Sequence, residues 1–221
     1  MAIPKFLKGS VLVFDTETAD LGDHIIEIGF SLFQDGKMVK EWGTLVKPLI
    51  LINPEASAVH KIYDKDVEDQ PTFAEVAWWI KNQLSIYDIH CAYNYDYDRD
   101  VLEKEFARVN MKFPLKPMVD PFILFKKWHK YNRGKRLGNA AQVYGISLVG
   151  AHRAMNDATA TGSILFKMAA VKTTFPNSIK KYISTQRKWI EEQHLDFYSY
   201  RKKMGQELPT PPNFSYYEVE V

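Results

Sequence analysis

The dipeptide Asp35-Gly36 limits the fold of this chain more than any other feature. It lies between "HIIEIGFSLFQ" and "KMVKEWGTLVKP", two runs with alternating apolar, β-branched and aromatic positions. Asp-Gly in that place is a hairpin signal, because both residues tolerate the positive φ of a tight reversal. The run before it, "VLVFDTETAD" from Val11, reads as another strand. Three consecutive strands are therefore expected as sheet neighbours, the second and third antiparallel. Helical and strand-like segments then alternate. "TFAEVAWWIKNQL" places Phe73, Val76, Ala77, Ile80 and Leu84 at helical spacing, with Thr72 and Glu75 as a capping box. "DIHCAY" and "PMVD" are short strands. "NYDYDRDVLEKEFARV" carries a stripe of Tyr97, Val101, Leu102, Phe106 and Val109, "LGNAAQVYG" is a helix ending at Gly145, and a longer helix runs through "AMNDATATGSILFKMAAVKTTF". This order predicts an α/β domain, a mixed sheet with helices on its faces.

At 221 residues, 46% hydrophobic and 25% charged, the chain suits one globular domain plus an appendage. The division expected is 1–172 for the main domain and 173–221 for a C-terminal extension, amphipathic and helical, then Pro-rich, then an edge strand at "SYYEVEV". No apolar h-region and no run near the roughly 20 residues of a membrane span is present, so a cytoplasmic protein is expected. Cys91 is the only cysteine, which excludes an intrachain disulfide and a cysteine-rich zinc site. With 29 Lys+Arg against 27 Asp+Glu, the net charge argues against a generic basic coat for nucleic acid, but the charge is not evenly spread. One segment, "KKWHKYNRGKR" at 126–136, concentrates six Lys/Arg around Trp128 and Tyr131. That mixture suits a phosphate backbone with stacked bases, although a solvated helix end is the commoner fate of a charge run. "QLSIY" at 83–87 looks like peptides that dock into sliding clamps, but Leu84 continues the helical stripe, so core packing explains it.

Chemistry is concentrated in a few carboxylates. Asp15 and Glu17 are one residue apart, so a strand points both to one face, roughly 7 Å apart along the backbone. Either the strand is running out into solvent, or a cation sits between them. Asp98 follows Asn94 by four residues at the mouth of a helix. Asp157 follows His152 by five, about 140° around a helix axis. His152 and Asp157 can share a face only if His152 lies on the loop before the helix, which Gly150 permits. The histidines at 24, 60, 90, 129 and 194 are taken as structural.

In chain order, D-x-E closes a strand, N-x-x-x-D opens a helix and H-x-x-x-x-D opens a late helix. Together with "IIEIG", "VHKI", "YNYDYD", "VDPFILFKK" and "LGNAAQVYGI", this set resembles the DEDDh 3′–5′ exonucleases of the RNase H-like superfamily, the group containing the proofreading epsilon subunit of bacterial DNA polymerase III. The likeness covers roughly residues 10 to 170. It implies an RNase H-like five-stranded mixed sheet, its first three strands antiparallel, and a hydrolase releasing nucleoside monophosphates from 3′ ends. It also implies two Mg²⁺ or Mn²⁺ ions about 4 Å apart. Asp15 would bridge them, Glu17 and Asp157 would serve the nucleophile's side, and Asp98 would complete the set. His152 would be the general base, since imidazole is neutral over much of the working pH range. Thr18, Leu21 and Asn94 would touch the terminal nucleotides. Single-stranded or frayed DNA is the first expectation for substrate, RNA the second, and a non-catalytic nucleic-acid or polymerase-binding module the rival reading. A polymerase or replication partner would use 173–221. Ala19, Tyr93 and Tyr97 depart from the residues most relatives carry, which puts substrate fit in doubt but removes no ligand.

Overall fold

A computed structural model describes residues 3–212 and 214. Strands β1 (Ser10–Asp20), β2 (Asp23–Gln34) and β3 (Lys37–Leu45) form an antiparallel meander. Strands β4 (Ile89–Cys91) and β5 (Met118–Val119) continue the sheet in parallel on the other side of β1, giving the order β3-β2-β1-β4-β5. Asp35 and Gly36 have φ of 49° and 79°, both on the positive side that their reversal requires. The helices are α1 (Pro54–His60), α2 (Asp64–Val67), α3 (Phe73–Ile86), α4 (Tyr95–Arg108), α5 (Pro121–Trp128), α6 (Leu137–Tyr144), α7 (Ala154–Val171) and α8 (Ile179–Lys203). This is the mixed, helix-flanked sheet of the RNase H-like fold.

The alternation of β1 divides the core. Val11 and Val13 pack with Leu124 of α5, Ala140 of α6, Ile164 of α7 and Tyr182 of α8. Leu12 and Phe14 pack on the opposite face with Ile80 of α3 and with Leu102 and Phe106 of α4. Each such large side chain contributes about 1.5–3 kcal/mol on burial, so the two layers hold β1 from both sides. Helix α3 starts where the capping box places it: the Glu75 carboxylate accepts the Thr72 N–H at 2.7 Å. Leu84 is fully buried within α3, so core packing accounts for the leucine of "QLSIY", while Ser85 and Ile86 beside it are exposed.

Helix α4 corrects one expectation. Tyr97 is not part of the buried stripe, and its ring stays 39% exposed. Tyr95 is the buried tyrosine, in line with Asp98, Leu102, Glu105 and Phe106. Two acids at buried positions mask the apolar period, and both have partners: Asp98 is bonded to Thr16, and Glu105 accepts the Ile25 N–H at 2.9 Å.

One buried residue ties two junctions and a helix together. Asp120, between β5 and α5, accepts N–H bonds from Asn94, Tyr95 and Phe122. Its own N–H donates to Gln186 Oε1 of α8 at 2.8 Å. Much of the basic tract is likewise structural. Lys127 pairs with Glu192, Lys130 with Asp196 at 3.0 Å, and Trp128 packs between Phe175 and Trp189. The edge strand expected at 215–221 lies outside the described residues. No described helix is long and apolar enough to cross a membrane.

One contact sets where α7 begins. A Cβ on Gly29 of β2 would lie 2.1 Å from the Met155 backbone N, so only glycine lets the start of α7 rest on the sheet. Gly29→Ala must push the helix off its seat and should destabilise the protein by about 1–3 kcal/mol or more, the usual range for overpacking. Urea or thermal unfolding measures this, and an unchanged midpoint would contradict the packing described.

Candidate active site

Beyond its apolar half, β1 keeps alternating. Asp15 and Glu17 stay on the face of Val11 and Val13, where α7 lies, while Thr16 turns toward α4. Strand register sets Asp15 opposite Gly29 and Glu17 opposite Glu27, with an irregularity between Glu17 and Thr18 that bends the strand end. From the far side, Asp98 in the first turn of α4 reaches the same strand end. Its Oδ1 accepts both the Thr16 N–H and the Thr16 hydroxyl at 2.8 Å.

The last contribution comes from the turn before α7. Gly150 and His152 have φ of 68° and 64°, so His152 sits on the loop, in a left-handed conformation that β-carbon sterics disfavour. Asp157, in the first turn of α7, accepts the His152 N–H on Oδ2 at 3.1 Å. One ligand atom each from Glu17, His152 and Asp157 lies within 4.8 Å of the others.

This crowding has an electrostatic consequence. Burial, then the charges of Asp98, Asp157, Glu17 and Glu27, hold the Asp15 carboxyl well above its usual range. Burial first, then Asp157 and Glu27, push Glu17 up to about 8. Asp98 rises to about 7 through burial, against the hydrogen bonds from Thr16. Burial also raises Asp157, against the His152 N–H bond. The fold thus opposes the ionised form of four neighbouring carboxyls, and a divalent cation removes that opposition. Asp157 Oδ1 is buried without a hydrogen-bond partner, which leaves a ligand atom free. An all-oxygen set of carboxylates, with an imidazole beside it, fits a hard divalent ion.

Beside this cluster, Glu17, Thr18, Leu21, His60 and Tyr97 line a cleft of about 310 Å³. Leu21 is 94% exposed at the tip of the β1–β2 hairpin. Helix α4 steadies that tip. The Tyr97 hydroxyl is bonded to Thr18 Oγ1 and accepts the Gly22 N–H, both at 3.1 Å, while Lys104 Nζ donates to the Gly22 carbonyl. Asn94 is placed differently. It caps α4 in the left-handed region and lines another cavity, with Asp96, Phe122 and Lys126.

Three residues at the site were not foreseen from sequence. His60, taken as structural, lines the cleft. Its Nδ1 accepts the Ile62 N–H, its Nε2 is buried without a partner, and burial lowers its pKa. Glu27 and Arg153 form an ion pair beside Glu17 at 2.7 Å. The signal for Glu27 was a lone acid inside the apolar run "IIEIGF", since a buried charge needs a partner.

The family model RNase_T, described as exonuclease, matches residues 12–165. The 3′-5′ exonuclease DinG of Staphylococcus haemolyticus is 31% identical over 145 residues, 66% of this chain and 16% of that protein. DinG of Staphylococcus aureus (strain USA300) is 27% identical over 143 residues, 65% and 16%. The matched stretch therefore spans only about a sixth of these curated relatives. Among solved structures, exonuclease X in complex with 5′ overhanging duplex DNA superposes with TM-score 0.64 at 22% identity, over 80% of this chain and 99% of that one. Exonuclease I gives 0.69 at 17%, over 81% and 44%. A 3′-exonuclease recognising a histone mRNA stem-loop gives 0.64 at 15%, over 76% and 65%.

The raised carboxyls fix a pH dependence. Their folded-state pKa values exceed the unfolded ones, so their protonated forms favour folding, and stability is lost as pH rises through the folded values. Between pH 6.5 and 9, Glu17 and Asp98 titrate, while buried His90, with its folded pKa near 4, contributes with the opposite sign only near its ordinary value of 6.5 and is the same with and without metal. Asp120, near 7, shares the sign, but only the cluster can respond to metal. In EDTA the melting temperature should fall across this window. Mn²⁺ or Mg²⁺ should restore it, and more at pH 8.5 than at pH 6.5. A metal increment independent of pH would contradict this electrostatic picture.

Proposed function

The chain belongs to this exonuclease family, and from that premise we propose that it is a metal-dependent 3′–5′ exonuclease, releasing nucleoside monophosphates from single-stranded or frayed 3′ ends of DNA. The observation that carries the reading is the convergence of Glu17, His152 and Asp157 beside Asp15 and Asp98. In this reading Asp15, Glu17, Asp98 and Asp157 hold two divalent ions, Mg²⁺ or Mn²⁺. When bound, these ions offset the charge of the scissile phosphate and stabilise the attacking and leaving oxygens. His152, exposed on its turn, takes the proton of the attacking water. Asp157 keeps that turn in place through the His152 N–H. Thr18 and exposed Leu21 hold the terminal nucleotide in the cleft beside Glu17, with Leu21 offering an apolar edge to the last base, and Asn94 contacts the nucleic acid from the separate cavity that it lines.

DNA is put first because the solved structures of exonucleases X and I include complexes with DNA, and RNA second because of the 3′-exonuclease that recognises an mRNA stem-loop. Residues 1–172 are proposed as the catalytic domain and 173–221 as the extension. Residues 173–221 lie beyond residue 165, where the family match ends, and are proposed to carry the surface for a polymerase or other replication partner. A cytoplasmic location is proposed with it.

A 5′-labelled single strand should shorten from its 3′ end in steps of one nucleotide, and EDTA should stop it. Replacing the base by His152→Ala should lower kcat by about 10²–10⁴-fold, the usual contribution of a positioned acid–base group. Asp15→Asn should do so at least as severely, with the circular dichroism spectrum unchanged and, in EDTA, a melting temperature no lower than that of the wild type, because one buried and repelled carboxyl is gone. Wild-type rates in either variant would overturn the assignment.

A further inference from the structure

The pairing of β1 with β2 sets Glu27 directly opposite Glu17. Like charges opposite one another across strands repel, so this arrangement needs a counterweight. Glu27 has one in direct contact, whereas Glu17 feels the same arginine only from beyond ion-pair distance. The Arg153 guanidinium donates to Glu27 from Nε at 3.1 Å and from Nη2 at 2.7 Å. The second Glu27 oxygen also accepts the Ala154 N–H at 2.9 Å. Ala154 is the first residue of α7, so the carboxylate takes one of the free N–H groups at the positive end of an 18-residue helix. Two residues along the sheet, Gly29 removes the side chain that would keep that helix turn away.

These contacts surround the segment that carries the chemistry. His152 lies two residues before Ala154 and Asp157 three after it, so both hang on the point where Glu27 grips the backbone. Both Glu27 oxygens are engaged, which leaves it poorly suited to bind an ion itself.

We propose that Glu27, clamped by Arg153, is a positioning residue: it fixes the start of α7, and through it the turn of His152 and the carboxylate of Asp157, relative to Asp15 and Glu17. The proposal rests on the nuclease reading for its kinetic consequence, but not for its geometry.

Glu27→Ala removes the grip and leaves Arg153 beside Glu17 without its partner. Glu27→Gln keeps an oxygen for the Ala154 N–H. On single-stranded DNA, Glu27→Ala should lower kcat by about 10–100-fold, as loss of a supporting partner does, with KM for the strand unchanged. Glu27→Gln should recover most of that loss. Mn²⁺ titration of the metal-free protein should show weaker binding in Glu27→Ala with the number of ions preserved. Imidazole NMR should show the His152 signal displaced while buried His90 stays where it was. If Glu27→Ala does not fold, Arg153→Met on the half-exposed partner tests the same clamp, with kcat again expected to fall at constant KM. Wild-type kcat in the folded alanine variant, or in Arg153→Met, would overturn the proposal. So would a glutamine variant as impaired as alanine and short of one bound ion, because Glu27 would then be a ligand. If the wild type has no nuclease activity, the nuclease reading fails alone. The His152 signal and Mn²⁺ affinity then decide the clamp, and an unmoved His152 with wild-type affinity sinks it.

Discussion

Repulsion among acids at the end of β1 is the constraint around which this structure is built. Asp15, Glu17, Asp98 and Asp157 come from three elements and both sides of the sheet, and each is shifted toward its protonated form by burial in company. Such a cluster opposes folding unless the surrounding scaffold enforces it. The two core layers on β1 supply the enforcement, because Val11 and Val13 seat α7 while Leu12 and Phe14 seat α4. Asp98 and Asp157 also stand in the first turns of their helices, where the macrodipole favours negative charge. The strand aims two carboxylates and the helix starts deliver two more.

Rigidity around the cluster follows from polar ties rather than from further apolar packing. On one side α4 holds the hairpin tip through Tyr97, Lys104, Glu105 and Arg108, so exposed Leu21 projects from a fixed support. On the other, Glu27 and Gly29 hold the start of α7 against β2. A third tie, Asp120, joins the turns before α4 and α5 to α8. The cleft lined by Glu17, Thr18, Leu21, His60 and Tyr97 thus sits among elements tied to one another.

What sequence revealed was mostly local. The Asp-Gly reversal, the Thr72–Glu75 cap and the loop position of His152 all depend on neighbours in the chain, and the structure has each as expected. The carboxylate set was legible because its members sit at element ends whose order could be followed. Partners across strands or helices were not. Glu27 is explained by Arg153, 126 residues away, and Lys127 by Glu192, 65 away. Tyr97 was misplaced because Asp98 and Glu105, buried with partners far along the chain, interrupt the apolar period that should have selected Tyr95. The common cause is that a satisfied buried charge looks, in sequence, like a surface residue.

Crystals grown with Mn²⁺ and measured for its anomalous scattering would test the central point most directly. Two peaks are expected, held among Asp15, Glu17, Asp98 and Asp157, with those side chains close to the positions described. A pocket without peaks at millimolar Mn²⁺, its carboxyls still gathered, would mean that the cluster is not a cation site.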